Sequence, residues 1–133
     1  MVRDKALPPV QAPALPEGFA YRLYEKGFAK AWAEVETAVL EFDSAAQAEE
    51  FYQKDFMPHE AELAKRGVFI FDQDGRPAAD AMAWWGNDAK LGRVPMLHWV
   101  AVHPDFQGLG LGRAVSCKAL SLLEKEGPQG DIW

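Results

Sequence analysis

Apolar residues recur along the chain with two periods, and the places where the period changes mark the elements. Phe19, Tyr21 and Leu23 alternate with smaller or charged positions, which predicts a first strand within Phe19–Glu25. Phe28, Trp32, Val35, Val39 and Phe42 then follow at spacings of 4, 3, 4 and 3, one apolar stripe on a helix. Asp43-Ser44 interrupts the stripe, and Ser44 with Gln47 has the spacing of a capping box, predicting a second helix through Phe56. Pro58 breaks that helix or restarts it, and Gly67 is the expected stop. Val68–Asp72 is a short β-branched and aromatic run, "DQDG" a turn, and "RPAADAMAWW" a second extended run, so the three predict a hairpin. The ten residues "GNDAKLGRVP" read as a connection to a strand over Met96–Val102. Finally Leu111, Val115, Ala119 and Leu122 form a helical stripe widened by Ala114, Cys117 and Leu120, as on a helix packed against a sheet, and Gly127-Pro128 ends it. The predicted order is β-α-α-β-β-β-α, with "DIW" at residues 131–133 opening a further strand.

Composition narrows the class. A chain of 133 residues, 49% hydrophobic and 12% aromatic, has the size of one domain with its own core. Pro8, Pro9, Pro13 and Pro16 stiffen the start, so residues 1–18 read as a tail or lead-in and 19–133 as the domain. A net charge of −6 argues against a nucleic-acid partner. It leaves room for an anionic ligand, because backbone N–H groups alone can form an anion nest. The single cysteine, Cys117, excludes an intrachain disulfide, and no apolar run has the length of a membrane span. Without an apolar signal core at the N-terminus, the expected location is the cytoplasm. His59, His98 and His103 are too scattered to suggest a metal site.

The chemistry concentrates where the pattern changes fastest. "VAVHPDFQGLGLGRAV", Val100–Val115, passes from strand through a proline to three alternate glycines and then into a helix. Glycine at 108, 110 and 112 lets backbone N–H groups face a ligand closely and lowers the cost of positive φ. The following helix aims its positive dipole end at the same point, so the corner suits phosphate or pyrophosphate, with Arg113 at the helix start adding a charged contact. The P-loop pattern fails because Gly112 is followed by Arg113-Ala114, and the dinucleotide pattern fails because its last position falls on Arg113 or Val115. The pattern that fits is Gln-x-x-Gly-x-Gly at Gln107, Gly110 and Gly112, after a strand end at Val100, Val102 and Pro104.

That segment resembles motif A of the GNAT superfamily, the acyl-CoA-dependent N-acetyltransferases, and the element order from Phe19 onward is similar to the family's. The resemblance implies an α/β (α+β) fold with a mixed, mostly antiparallel sheet flanked by helices. It implies acetyl-CoA as cosubstrate, no metal, and transfer of the acetyl group to an amine by direct attack. By position, Val100, Ala101 and Val102 would offer backbone groups to the pantetheine arm, and the strand N–H near Val100 would polarise the thioester carbonyl. Gln107, Gly108, Leu109, Gly110, Leu111, Gly112 and Arg113 would hold the pyrophosphate. His98 stands where some members carry a strand histidine that relays the amine's proton; the other reading is a histidine paired to a carbonyl or carboxylate. Strand alternation places His98 on the face of Val100 and Val102. Trp84, Trp85 and Trp99 are candidate linings of an acceptor pocket, although an aromatic stripe is more often core.

Two features depart from the family. The family often protonates the leaving thiolate with a tyrosine after the motif, but Tyr21, Tyr24 and Tyr52 all precede it. Members usually continue through a fifth strand, a helix and a hairpin, whereas here the fifth strand would only begin at "GDIW". Three expectations follow: a fragment of a longer enzyme, completion by a second chain through a homodimer or strand-swapped assembly, or a short form. The alternative function is a catalytically incomplete CoA-binding or interaction domain.

Overall fold

The structure is a computed structural model describing residues 11–90 and 92–125. Four strands, β1 (Phe19–Leu23), β2 (Gly67–Asp72), β3 (Pro77–Asp88) and β4 (Gly92–Val102), form one sheet in sequence order with every neighbouring pair antiparallel. Three helices, α1 (Phe28–Ala38), α2 (Ala45–Asp55) and α3 (Glu60–Arg66), separate β1 from β2, and α4 (Leu111–Lys125) follows β4. The expected tail opening at residues 1–10, the helix end at Gly127-Pro128 and the further strand at 131–133 lie outside the described residues.

The alternation of each strand sorts its side chains into two cores. Val68, Ile70, Ala79, Ala81 and Ala83 pack against Leu111, Val115, Ala119 and Leu123 of α4. On the other face Phe69 and Met82 pack with Trp32, Ala48, Tyr52 and Phe56 of the α1–α2 layer. Rings dominate that second core: Trp32 lies 5.3–6.0 Å from Phe42, Phe51, Tyr52, Phe56 and Trp99. Ahead of β1, Leu15 packs against the α4-side core and the Tyr21 hydroxyl donates to the Pro13 carbonyl at 2.8 Å. No helix among the described residues is long and apolar enough to cross a membrane.

The structure corrects two local expectations, the stripe through Phe42 and the ten-residue connection, and bears out a third at Pro58 and Gly67. The stripe through Phe42 does not stay helical: α1 ends at Ala38, and the chain closes it with a Glu41 N–H to Glu36 carbonyl bond and a Leu40 N–H to Thr37 carbonyl bond, each 3.0 Å. That double closure needs a left-handed residue, here Leu40 at φ 66°, and it leaves the Leu40 side chain 88% exposed. Pro58 restarts a helix, α3, and Gly67 at its end is needed for close packing and not for a left-handed cap. Its φ is extended, and a Cβ there would sit 3.1 Å from the Leu63 carbonyl oxygen. The ten-residue connection is a hairpin arm: Gly86, Asn87 and Asp88 pair with Val94, Arg93 and Gly92. Two glycines and a proline mimic a loop there, yet Pro95 sits on an outer strand, where a missing N–H costs no ladder bond.

Candidate functional site

The end of β4 sets the geometry of the site. Asp80 pairs with Ala101, but two residues nearer the tip Met82 pairs with His98, so β4 carries one extra residue between them. Trp99 takes up the surplus with φ 54°, in left-handed space, and the ladder is open at Trp99 and Val100. The bulge inverts the parity on which the placement of His98 rested. Val102 pairs with Ala79 and shares the α4 face, whereas His98 pairs with Met82 and shares the α1–α2 face. His98 therefore does not stand on the side of Val102. It is exposed, with its ring centroid 4.9 Å from that of Trp99, and packing there holds its pKa below the usual imidazole value by desolvation.

Beyond β4, Pro104–Phe106 makes one 3₁₀ turn, capped by His103, whose Nδ1 accepts from the Asp105 N–H at 3.1 Å. His103 is thus a capping residue and not the solvated strand-exit residue that its position suggests. Arg76, on the β2–β3 turn, bridges to Asp105 at 2.8 Å and lies over the Phe106 ring, tying the two turns together. The glycine corner then divides its labour. Gly108 and Gly110 have φ of 83° and 79°, and a Cβ on either would meet nothing within 4 Å. Gly112 has no positive φ; its Cβ would lie 3.3 Å from Val102 Cγ2, so it lets α4 approach β4. The first bond of α4 runs from the Ala114 N–H to the Gly110 carbonyl at 3.1 Å. The N–H groups of Leu111, Gly112 and Arg113 consequently have no partner inside the helix.

Bulge and corner enclose a groove of about 410 Å³. Val100, Ala101, Val102, Gln107, Gly108, Gly110, Leu111 and Gly112 line it, so most of the backbone site expected from sequence converges. Leu109 and Arg113 are exposed and do not form part of that lining. Sequence reasoning missed Val39, Glu41 and Phe106, which close the groove from the α1 end and the 3₁₀ turn. A second cavity of about 570 Å³ adjoins through Glu41 and is lined by Phe42, Asp43, Gln47, Glu50, Phe51 and Lys54. Trp99 bridges towards it, its ring 5.8 Å from Phe42 and 5.2 Å from Phe51, while Trp84 stands against Phe56 and Trp85 lies under the Arg66 guanidinium at 3.7 Å.

Also missed are two acids sealed in the core. Glu36 on α1 is 1% exposed and Asp80 on β3 is fully buried. Burial is the first cause that pushes Glu36 up to about 7, opposed by the neighbouring Asp80 carboxyl and assisted by Glu41. Burial, then the charge of Glu36, drive Asp80 well above the carboxylate range. The signals were present: Glu36 stands one helical turn after Trp32, on the buried stripe, and Asp80 interrupts a run of alanines. Among the described residues no group of three or more His, Cys, Asp and Glu side chains is placed to hold a metal ion.

Residues 20–128, which include the bulge and the glycine corner, match the model of the acetyltransferase (GNAT) family. The chain belongs to that family. The GNAT fold recurs in solved structures. The chain is similar to a GCN5-related N-acetyltransferase from Sphaerobacter thermophilus at 18% identity and TM-score 0.70, with 98% of this chain on 39% of that one. It is similar to one from Kribbella flavida at 19% identity and TM-score 0.59, with 99% of this chain on 49% of that one. It is also similar to glucosamine-6-phosphate N-acetyltransferase from Arabidopsis thaliana at 19% identity and TM-score 0.59, with 85% on 79%. The chain therefore spans less than half the length of the first two relatives. Among curated proteins no sequence matches significantly.

Proposed function

We propose that the groove holds acetyl-CoA and that the chain transfers its acetyl group to an amine. The observation that carries this is the pairing of an open ladder at Trp99–Val100 with a glycine corner whose Cβ positions face empty space. Gly108 and Gly110 line the groove at the start of α4, so main-chain N–H groups and the α4 dipole suit the diphosphate of a nucleotide-linked thiol. Acetyl-CoA brings the activated thioester. The protein supplies the rest: N–H groups freed at the bulge stabilise the developing oxyanion, and positioning of the two reactants lowers the barrier without a covalent enzyme intermediate. Arg113, exposed at the start of α4 beside the groove, would add a charged contact to the phosphates.

The acceptor side is the aromatic cavity beyond Trp99. Glu41, Asp43 and Glu50 outnumber Lys54 on its lining and favour an approaching cation, and an ammonium is the protonated form of the acceptor. His98, exposed on that same α1–α2 face with a lowered pKa, is suited to relay a proton to solvent. Isothermal titration of the folded chain with acetyl-CoA and CoA tests the binding half: micromolar affinity is expected, and no heat at millimolar ligand removes it. Thiol release from acetyl-CoA over a panel of amines tests the transfer half. Affinity without release for any amine makes the chain a CoA-binding module.

A further inference from the structure

Behind the bulge, polar atoms from three elements converge without partners. Trp32 Nε1 and Glu36 Oε1 of α1, the Tyr52 hydroxyl of α2 and both carboxyl oxygens of Asp80 of β3 are all buried, and none meets an N–H or O–H partner. A core is not expected to hold so many orphaned groups, because each costs about 1–3 kcal/mol. They are not scattered: Glu36 and Asp80 act on one another's ionisation, Tyr52 feels the charge of Asp80, and the Trp32 and Tyr52 rings lie 5.3 Å apart. Asp80 is also paired across the ladder with Ala101, which lines the groove, and Glu36 lies one turn before Val39 and Glu41, which line it too.

We propose that Glu36 and Asp80 hold one proton between them and form, with internal water, the reservoir that takes up the proton shed by the acceptor amine. Two neighbouring carboxyls buried in one core do not both ionise, so the fully buried Asp80 keeps the shared proton and Glu36 supplies the vacant acceptor. Glu41, after α1, acts on Glu36; Asp80 in turn acts on Tyr52 of α2, as do Tyr24 and Glu60 of α3, and His98 of β4 shares the same face. No cation among the described residues is a cause of either shift; the protonated Asp80 is what favours the ionised form of Glu36. The open ladder at Trp99 and Val100 is where water can cross from groove to pair. The pair touches no substrate: it is a positioning element for the proton.

This role rests on the acetyl-transfer reading. The protons balance as follows. The ammonium gives one proton through water to Glu36. The neutral amine attacks the thioester carbonyl; the C–N bond forms and the C–S bond breaks with its electron pair on sulfur. The second amine proton goes to the thiolate, giving CoA-SH and the amide. Glu36 then returns its proton to solvent.

The experiment is thiol release from acetyl-CoA by the full chain with spermidine and 2-phenylethylamine, from pH 5.5 to 9.5, in parallel with calorimetric acetyl-CoA affinity. Wild type should show an acid limb near neutral pH. Glu36→Gln should lower kcat at least tenfold, keep the acetyl-CoA Kd, and abolish that limb; Glu36→Asp should restore it in part. Asp80→Asn, which gives Glu36 an N–H donor, should move the limb to lower pH. Turnover in Glu36→Gln with the wild-type limb overturns the role of the pair alone. Acetyl-CoA binding with no turnover of either amine overturns both the role and the transfer reaction. Infrared spectroscopy of the wild type decides the matter even where a variant does not fold. A protonated-carboxyl band at pH 6 that loses its Glu36 part by pH 9 and keeps that of Asp80 is expected; its absence, or a band unchanged between the two, overturns the proposal.

Discussion

Gly110 and Gly112 are two residues apart yet answer to different physics, and a single methyl group separates them. At Gly110, which lines the groove, the left-handed φ makes alanine cost about 1–2 kcal/mol in backbone strain, and that strain falls on the main-chain N–H groups proposed to hold the diphosphate. Gly110→Ala should therefore cost a few degrees in Tm and at least tenfold in acetyl-CoA affinity, read by calorimetry on the folded variant. Gly112→Ala should disturb affinity far less, because Val102 has only to give by a few tenths of an ångström. The corner was legible in sequence because glycine identity is itself the signal. The face of His98 was not, because strand alternation assumes an unbroken ladder and nothing in the letters around Trp99 announces a surplus residue. Val39 and Glu41 were illegible for a similar reason: they reach the groove only because α1 stops short of its own stripe.

At the level of elements, the ends were harder to read than the interiors. Ser44 caps α2 as its spacing predicts, its Oγ accepting from the Gln47 N–H at 3.1 Å, while the Gln47 side chain returns to the Asp43 N–H at 2.9 Å. Ser44→Ala should destabilise by about 1 kcal/mol in denaturant unfolding. The closure after α1 runs the other way. Leu40 holds a left-handed position and buries little, so Leu40→Gly should stabilise by about 0.5–1 kcal/mol, visible as a raised urea midpoint. A loss of stability there would mean that the exposed leucine makes contacts the structure does not show. The arm joining β3 and β4 escaped the sequence because Gly86, Gly92 and Pro95 punctuate it like a loop. Gly86 is explained by its neighbour, since a Cβ there would run into the Met96 side chain.

For the whole molecule, the buried acids set how stability depends on pH. Glu36 titrates near 7 in the fold against an ordinary carboxylate value of 4.5, so its folded pKa is raised. Stability from such a group is complete below the unfolded value and declines as pH rises towards 7, by something on the order of 3 kcal/mol. Tm should therefore be higher at pH 5 than at pH 8, and Asp80→Asn should flatten that slope; a Tm independent of pH would contradict the sealed pair. Association is the second whole-molecule property. Among the described residues β4 forms the outer margin of the sheet on its side, and light scattering at high concentration should show a dimer, a clean monomer counting against it. Pro95 limits how such a neighbour can dock. Lacking an amide hydrogen, it removes one rung from the exposed side of β4. A visiting strand could zip along the stretch from Met96 towards the bulge but would lose its footing where the hairpin arm begins. The arm's tip is thereby kept out of any shared sheet, and the molecule carries its own brake on open-ended stacking.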